Sequence, residues 1–185
     1  MQITTQMVKE LRDRTGAGIM DAKRALEQAD GNLEQAAAHL RQQGIERSAK
    51  KESRTASQGL VEAYIHGGGR IGALVELNCE TDFVARTAEF RALAHDLAMQ
   101  VAATDPHYVA AADIPEDAMA RGEHDYGDRE SYVKQAALLE QAFIKEPRRT
   151  VGDVVKDHIA KLGENVVVRR FARFELGAAS ELAEE

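Results

Sequence analysis

The sequence predicts an α+β protein in which three short helices precede a small antiparallel sheet packed with helices. Apolar residues recur at helical spacing over residues 1–44, and two β-compatible runs flank three consecutive glycines at 67–69. The period of the apolar pattern then switches from two to about 3.6 at Thr81, where a strand-like run gives way to a helix. The 185 residues, 44% of them hydrophobic, suit one substantial domain plus a small one.

Residues 1–44 are predicted to form a compact three-helix unit. Apolar residues fall on one face of each helix, and residues that cap or stop helices separate the three. These boundaries are Thr4 or Thr5 and Gly16 for the first helix, about Met20 to Ala29 with Asp30-Gly31 for the second, and Asn32 and Gly44 for the third. A core of this size is only marginally stable alone.

A polar linker and a hairpin follow this unit. Residues 45–58 are locally basic, and we expect an exposed linking helix whose charges are solvated, with contact to a partner as the alternative. Runs at 60–65 and 71–77 flank Gly67-Gly68-Gly69, which predicts a β-hairpin. The glycines supply the positive φ angles of a tight turn. Phosphate binding is the weaker alternative, because no helix N-terminus follows directly.

The second half of the chain is predicted to contain three helices and a strand. One long helix runs from Phe83 through Phe90 and ends by Asp105-Pro106, since proline cannot continue it. Residues 108–129 are poor in apolar periodicity and contain Pro115, Gly122 and Gly127, so we expect a loop with a short helix at most. The remaining elements are a helix over 131–142, a helix that begins with the capping pair Thr150 and Asp153 and stops at Gly163, and a strand over 165–176.

Strict alternation assigns the side chains of this third strand to two faces. One face is predicted to carry Val166, Val168, Ala172, Phe174 and Leu176. The other carries Arg169, Arg173 and Glu175 together with Val167 and Phe171. The arginines suggest RNA, but in an acidic chain salt bridges or an acidic protein surface are favoured.

Composition excludes several classes of protein. A net charge of −7 and a pI near 5.4 argue against a protein that coats nucleic acid, so a protein partner is favoured. The single cysteine, Cys79, excludes an internal disulfide framework and fits a reducing cytosol. No signal peptide, membrane span, metal-ligand spacing or cofactor motif is evident, and we expect a cytoplasmic protein.

The junction at residues 81–84 is the candidate site. Thr81 or Asp82 is a natural N-cap for the helix that follows. Phe83 places a large apolar ring beside the Asp82 carboxylate, where it could contact a partner. On pattern alone, the alternative in which Asp82 only caps and Phe83 only packs is favoured.

Three stretches resemble the bacterial elongation factor Ts family. The run ETDFVAR at 80–86, preceded by VELNC at 75–79, resembles its main signature. TGAGIMDAK at 15–23 resembles the second signature, and GENVVVRRF at 163–171 resembles the usual ending. The matches lie in family order and span most of the chain. LLEQ at 138–141 is a further likeness, followed by Ala142 where proline is common in the family.

The resemblance implies a guanine-nucleotide exchange factor without bond chemistry, and therefore without catalytic residues. Its partner would be elongation factor Tu, bound both with GDP and free of nucleotide, and exchange would follow from disturbance of that protein's Mg²⁺ and phosphate site. The residues that the resemblance assigns to this disturbance are Thr81, Asp82, Phe83 and Val84. Those it assigns to docking through an N-terminal ubiquitin-associated-type domain are Gly16, Ala17, Gly18, Ile19 and Met20.

The resemblance also implies a homodimer. The chain has length for one sheet-and-helix module, and short family members pair through that module, giving two factors with two GTPases. The cysteine that cross-links one branch of the family corresponds to Ala172 here, so a dimer must be held without it. The predicted organisation is a docking domain at 1–44, a linker at 45–58, a core and dimerisation domain at 59–177 and a frayed tail at 178–185.

Two other classes stay open at this point. The protein could be a pure scaffold, whose small N-terminal domain tethers partners without changing nucleotide affinity. It could also be an enzyme that uses Cys79 with a histidine, although no nucleophile setting is recognisable around that cysteine.

Overall fold

The computed structural model describes residues 3–178, which divide into two compact units. The first unit joins the chain up to Arg54 with Lys156–Asn165, and the second joins Thr55–Val155 with the segment that begins at Val166. The predicted α+β class is confirmed, because the described residues combine α-helices with a three-stranded antiparallel sheet.

The described part of the chain contains eight α-helices and five strands. The helices are α1 (Thr5–Thr15), α2 (Ile19–Gln28), α3 (Leu33–Ala49), α4 (Asp82–Ala85), α5 (Ala88–Thr104), α6 (Glu116–Tyr126), α7 (Arg129–Ala136) and α8 (Val151–Leu162). The strands are β1 (Gln58–His66), β2 (Ile71–Cys79), β3 (Ala142–Phe143), β4 (Glu146–Thr150) and β5 (Val166–Glu175).

The first unit is organised around the predicted three helices, in an arrangement consistent with a ubiquitin-associated-type domain. Thr4 caps α1, and Gly16 ends it with φ 68° while its N–H donates to the carbonyl of Arg12. The Asn32 side chain caps α3 by accepting bonds from the next turn. The buried core consists of Leu11, Ala22, Ala25, Leu26, Ala29 and Ala36, as the helical spacing predicted.

The predicted end of α3 at Gly44 is wrong, because the helix continues through this residue to Ala49. A Cβ at Gly44 would lie 3.3 Å from the Cβ of Ala160 in α8, so this glycine marks a close approach of two helices. The first part of the expected linking helix is therefore the end of α3. Polar contacts continue beyond it, since the Asn165 side chain donates to the carbonyl of Arg54 at 2.8 Å.

The second unit is built on the sheet, with strand order β1-β2-β5. The predicted hairpin is confirmed: β1 pairs antiparallel with β2, and Gly67, Gly68 and Gly69 all have positive φ. Helix α5 packs on the sheet and ends at Thr104, with Asp105 as its C-cap, in line with the predicted stop by Asp105-Pro106. Its buried side chains pack with those of β2 to form the core, which includes Phe90, Leu93, Leu97, Val101, Val75 and Leu77.

The predicted faces of the third strand are wrong beyond its first residues. Leu77 pairs with Val168, but the preceding Glu76 pairs with Arg170, so β5 carries an extra residue at a bulge. An extra residue reverses the alternation, because side chains switch faces at every position. Val168 is buried as predicted, whereas Phe174 points away from the core and is 66% exposed. Ala172 and Phe174 therefore point away from the core, whereas Phe171 and Arg173 point toward it.

Residues 108–129 are also more helical than predicted. Helix α6 has 11 residues, and α7 begins at Arg129. Gly122 lies inside α6, and a Cβ there would be 2.3 Å from the ring of Tyr132, so this packing requires a glycine at a helical position. Ala118, Met119 and the Tyr108 and Tyr132 rings form a small core around this contact.

The predicted helix over 131–142 is too long, since α7 ends at Ala136 and a 3-10 turn follows at Leu138–Glu140. Long-range hydrogen bonds explain this end. The N–H of Leu138 donates to the carbonyl of Tyr108 at 2.9 Å, and the buried Gln141 side chain is held by Gln100 at 3.2 Å. Such contacts lie far apart in sequence and outweigh local helical preference.

The remaining boundaries follow the sequence. Thr150 and Asp153 form the predicted reciprocal cap, with N–H to side-chain oxygen distances of 3.2 and 3.1 Å. Gly163 stops α8 with φ 79°. Of the predicted frayed tail, residues 179–185 lie outside the described part of the chain.

Candidate partner-binding site

The candidate site begins where β2 ends. Cys79 is fully buried at the last position of the strand, and its thiol donates to the carbonyl of Thr81 at 3.1 Å. Thr81 has extended backbone angles, φ −127° and ψ 155°, and its hydroxyl accepts a bond from the N–H of Val84 at 3.4 Å. Of the two predicted caps, Thr81 is therefore the N-cap and Asp82 is the first helical residue.

The site is a separate helical turn, which corrects the prediction of one long helix from residue 83. Helix α4 has only four residues, and α5 starts with its own cap, because Thr87 accepts a bond from the N–H of Phe90 at 3.2 Å. The same hydroxyl donates to the carbonyl of Val84 at 2.8 Å. Thr87 therefore holds the end of one helix and the start of the next.

This break decides where Phe83 points. The ring is 79% exposed, whereas Ala85 is buried and Val84 is half-buried. Helix α4 packs against β1 and β2, so the turn is anchored on one side and presents Phe83 on the other. Complete burial of such a ring by a partner is worth about 2 kcal/mol from desolvation alone.

Asp82 forms an ion pair with Arg86, with Oδ2 and Nη2 2.7 Å apart. Both side chains are substantially exposed, and an exposed pair of this kind contributes at most about 1 kcal/mol. The carboxylate is thus kept beside Phe83 yet can exchange Arg86 for a partner's cation. Arg86 was missed as a member of this site, although its position four residues after Asp82 was the signal.

The second predicted site is the turn between α1 and α2, residues 16–20. Thr15 fixes its start, because its hydroxyl donates to the carbonyl of Leu11 at 2.7 Å and accepts from the N–H of Ala17 at 3.3 Å. Gly18 precedes α2 and supplies no side-chain cap. Ile19 and Met20 follow it with 60% and 67% of their surface exposed.

The two predicted sets of residues are each brought together locally. Residues 81–84 share one short helical turn in the second unit, and residues 16–20 share one interhelical turn in the first. In both places apolar side chains are exposed immediately after a helix start. Phe83 does not pack against the core, so the interpretation that it only packs is wrong for this ring.

A third surface becomes visible only with the register of the sheet. The outer face, defined here as the exposed side of the three strands, carries Val61, Ala63, Ile65, Leu74, Ala172 and Phe174. Glu76 and Arg170 lie beside this apolar patch as an ion pair at 2.7 Å. The hydrogen bond from Arg170 lowers the pKa of Glu76 below its usual value. Exposed apolar patches of this kind are typical of interaction sites.

Other chemistries find little support in the described residues. Cys79 is buried and bonded to a backbone carbonyl, so its thiol is not presented to a substrate. Within residues 3–178, no three His, Cys, Asp or Glu side chains are grouped to hold a metal ion. None of the helices in that range combines the length and the apolar character that a membrane span requires.

Comparison with known proteins places the chain among elongation factor Ts sequences. A family profile described as Elongation factor TS matches residues 2–126. The chain is 51% identical to elongation factor Ts of Carboxydothermus hydrogenoformans, over 99% of this chain and 93% of the relative. It is 50% identical to that of Heliobacterium modesticaldum, over 95% and 90%, and 48% identical to that of Caldanaerobacter subterraneus subsp. tengcongensis, over 97% and 99%. The likeness therefore covers both structural units.

Proposed function

Because the chain belongs to the elongation factor Ts family, a family of translation elongation factors, we propose that it is the guanine-nucleotide exchange factor of elongation factor Tu. It binds the GDP-bound GTPase, promotes GDP release and leaves a nucleotide-free complex to which GTP binds. The observation that carries this proposal is Phe83, an aromatic ring held 79% exposed on a capped turn.

Exchange of this kind needs no bond chemistry. A factor that binds the nucleotide-free GTPase more tightly than the GDP-bound form must weaken GDP by the same ratio, since the two bindings are linked reciprocally. GDP is held mainly through its phosphates and the Mg²⁺ ion beside them. A factor that disturbs that region therefore removes much of the affinity for GDP.

In our proposal, the turn at residues 81–84 performs this disturbance. Phe83 inserts between elements of the GTPase and acts as the buried anchor. The Asp82 carboxylate enters the polar network near the GTPase's Mg²⁺, exchanging its bond to Arg86 for a partner contact. Thr81 and Val84 keep the turn in place, the first through its cap and the second through its half-buried side chain.

Docking is proposed to use the other unit. Ile19 and Met20 are apolar, adjacent and exposed, which suits a hydrophobic contact with the GTPase. Gly16, Ala17 and Gly18 together carry a single methyl group, so no bulky side chain blocks the approach of a partner to Ile19 and Met20. This contact increases affinity without itself acting on the nucleotide.

We further propose that two copies pair through the outer face of the sheet. A second copy suits this face because a twofold contact places the same apolar patch on both sides. Glu76 and Arg170 beside the patch offer opposite charges that complement each other across such an axis. Light scattering at micromolar concentration should give twice the chain mass of 20.3 kDa, and a monomer mass would contradict this part of the proposal.

The central experiment is stopped-flow release of a fluorescent GDP analogue from elongation factor Tu at increasing factor concentration. The wild-type protein should accelerate release to a saturating maximum. Phe83→Ala should lower that maximal rate about 30-fold, which corresponds to the loss of about 2 kcal/mol of anchoring.

The matched control is Tyr126→Ala, which removes another exposed aromatic ring from the same unit and should leave release unchanged. An unaltered rate for Phe83→Ala, with an intact circular dichroism spectrum, would contradict the role of the turn. Binding without acceleration by the wild-type protein would instead indicate a scaffold.

A further inference from the structure

Helix α8 contributes to the first unit from a distant part of the sequence. Its residues from Lys156 onward belong to that unit, together with α1, α2 and α3. The side chain of Lys161 lies against the turn that precedes α2. A Cβ built on Gly16 would be 2.8 Å from both Cδ and Cε of Lys161, so the lysine methylenes occupy the space beside the glycine.

We propose that Lys161 is a positioning residue for docking: its aliphatic stem covers Gly16 and holds the turn at residues 16–20 in the form that the GTPase binds. This inference rests on the proposed function and adds to it a residue about 140 positions away from the turn. The methylene groups of a lysine commonly pack on nearby apolar or backbone surface.

The turn depends on such support because its end toward α2 has no side-chain cap. The Thr15 hydroxyl and the N–H of Gly16 secure its first part, through Leu11 and Arg12. At the other end, Gly18 starts α2 without a side-chain cap. Ile19 and Met20 come directly after this uncapped start, so their placement depends on what holds the turn from outside.

The stem is fixed at its base by the rest of α8. Ile159 is 3% exposed, and its carbonyl accepts a bond from the Lys51 ammonium at 3.4 Å. Ala160 contacts α3 at Gly44, where a Cβ would be 3.3 Å away. These neighbours hold the backbone of Lys161, so its first methylenes start from a defined position.

The first test uses the same GDP-release assay and separates docking from exchange. Lys161→Ala should raise the half-saturating factor concentration about fivefold, as expected for lost packing, while the maximal rate stays unchanged. Lys161→Met keeps an unbranched stem and should stay within about twofold of wild type.

Lys156→Ala is the matched control. Lys156 lies on the same helix but about 7.5 Å earlier along the axis and on another face, and it should have no effect. If Lys161→Met is as damaging as Lys161→Ala, the charge and not the stem matters, and the proposal is overturned. An unchanged half-saturating concentration for Lys161→Ala overturns it as well.

A second test does not depend on the GTPase. Hydrogen exchange at the amides of Ala17 and Ala22, which donate to the Thr15 hydroxyl and to the carbonyl of Gly18, should become faster in free Lys161→Ala and stay unchanged in Lys161→Met. Slow exchange in both variants would overturn the positioning role even if the proposed function holds. If the wild-type protein fails to accelerate GDP release, the proposed function fails, while this measurement still decides whether Lys161 holds the turn.

A double-mutant cycle tests the contact between Gly16 and Lys161 directly. Gly16→Ala places a methyl group where the Lys161 stem lies, so the two side chains compete for the same space. The damage from Gly16→Ala should therefore be smaller in the Lys161→Ala background than in the wild-type background. Strictly additive effects would show that the two residues do not act through each other.

Discussion

The two proposed contact turns look alike in sequence but are held in different ways. Both expose apolar side chains directly after a helix start, Phe83 in one and Ile19 with Met20 in the other. The turn at 81–84 has a threonine cap at its start and a second threonine at its end, both within seven residues. The turn at 16–20 starts α2 at Gly18 with no side-chain cap and is covered by the distant Lys161.

This difference suits the two proposed tasks. A turn that is proposed to enter a GTPase and displace bound groups must keep its conformation on binding. The caps at Thr81 and Thr87 fix that conformation before the partner arrives. A docking turn needs mainly to present apolar surface, so support from a neighbouring helix is sufficient. The turn at 81–84 is held by caps within its own sequence, and these could be predicted from the residues nearby. The glycine-rich turn at 16–20 is held by Lys161, which lies far away in sequence.

The largest expected effect is loss of stability in the first unit, after truncation of a core residue. Leu26 is fully buried there, and Leu26→Ala should cost about 3 kcal/mol, a large part of the stability of so small a core. Hydrogen exchange should show amide protection lost in the first unit, with the turn at 81–84 unaffected.

Leu26→Met conserves volume and serves as the control, with little change expected. If protection in both units falls equally in Leu26→Ala, the units fold as one, and the separation between docking and exchange residues loses its structural basis.

An intermediate effect is expected at Thr81, the cap that starts the turn at 81–84. Thr81→Ala removes the oxygen that accepts from the N–H of Val84 and should cost about 1 kcal/mol. Because the cap orients Phe83, the maximal GDP-release rate should fall while the half-saturating concentration changes less. Thr81→Ser restores the hydroxyl and should restore the rate. Failure of serine to rescue would show that the threonine methyl group, not the cap, supports the turn.

The smallest effect concerns the outer face of the sheet, where an ion pair joins β2 and β5. The pKa of Glu76 is lowered by its bond to Arg170, so its stabilising contribution is present above the unfolded pKa near 4.3 and is lost as pH falls through the folded value. The urea midpoint of wild type should exceed that of Glu76→Gln at pH 6 and converge with it at pH 3. A difference that persists at pH 3 would exclude the ionised pair as its source.

Much of the secondary structure could be predicted because its causes are local. Thr4, Asn32 and the pair Thr150 and Asp153 cap helices within three residues of themselves, and each prediction is confirmed. The hairpin at three glycines is confirmed for the same reason. The exposure of Ile19 and Met20 was implied by the family resemblance rather than by the local pattern, and the structure places both side chains at the surface.

Several predictions that failed depended on contacts with another element, and one depended on a cap close in sequence. Gly16 ends a helix, but Gly44 does not, because Ala160 approaches it from α8. Gly122 lies inside α6, where the Tyr132 ring fits only against a residue without a side chain. Phe83 fitted the spacing of a long buried helix, and only the cap at Thr87 separates it from that helix.

The sequence by itself determined the class of the fold, the helix caps, the hairpin and the family, because each depends on short-range pattern or on signature residues. Only the tertiary structure decided which side chains reach solvent. The bulge opposite Glu76 moves Phe174 to the outer face, since one inserted residue reverses every later side chain in a strand. The packing of Lys161 on Gly16 was likewise decided by the return of α8 to the first unit, a contact that no local pattern encodes.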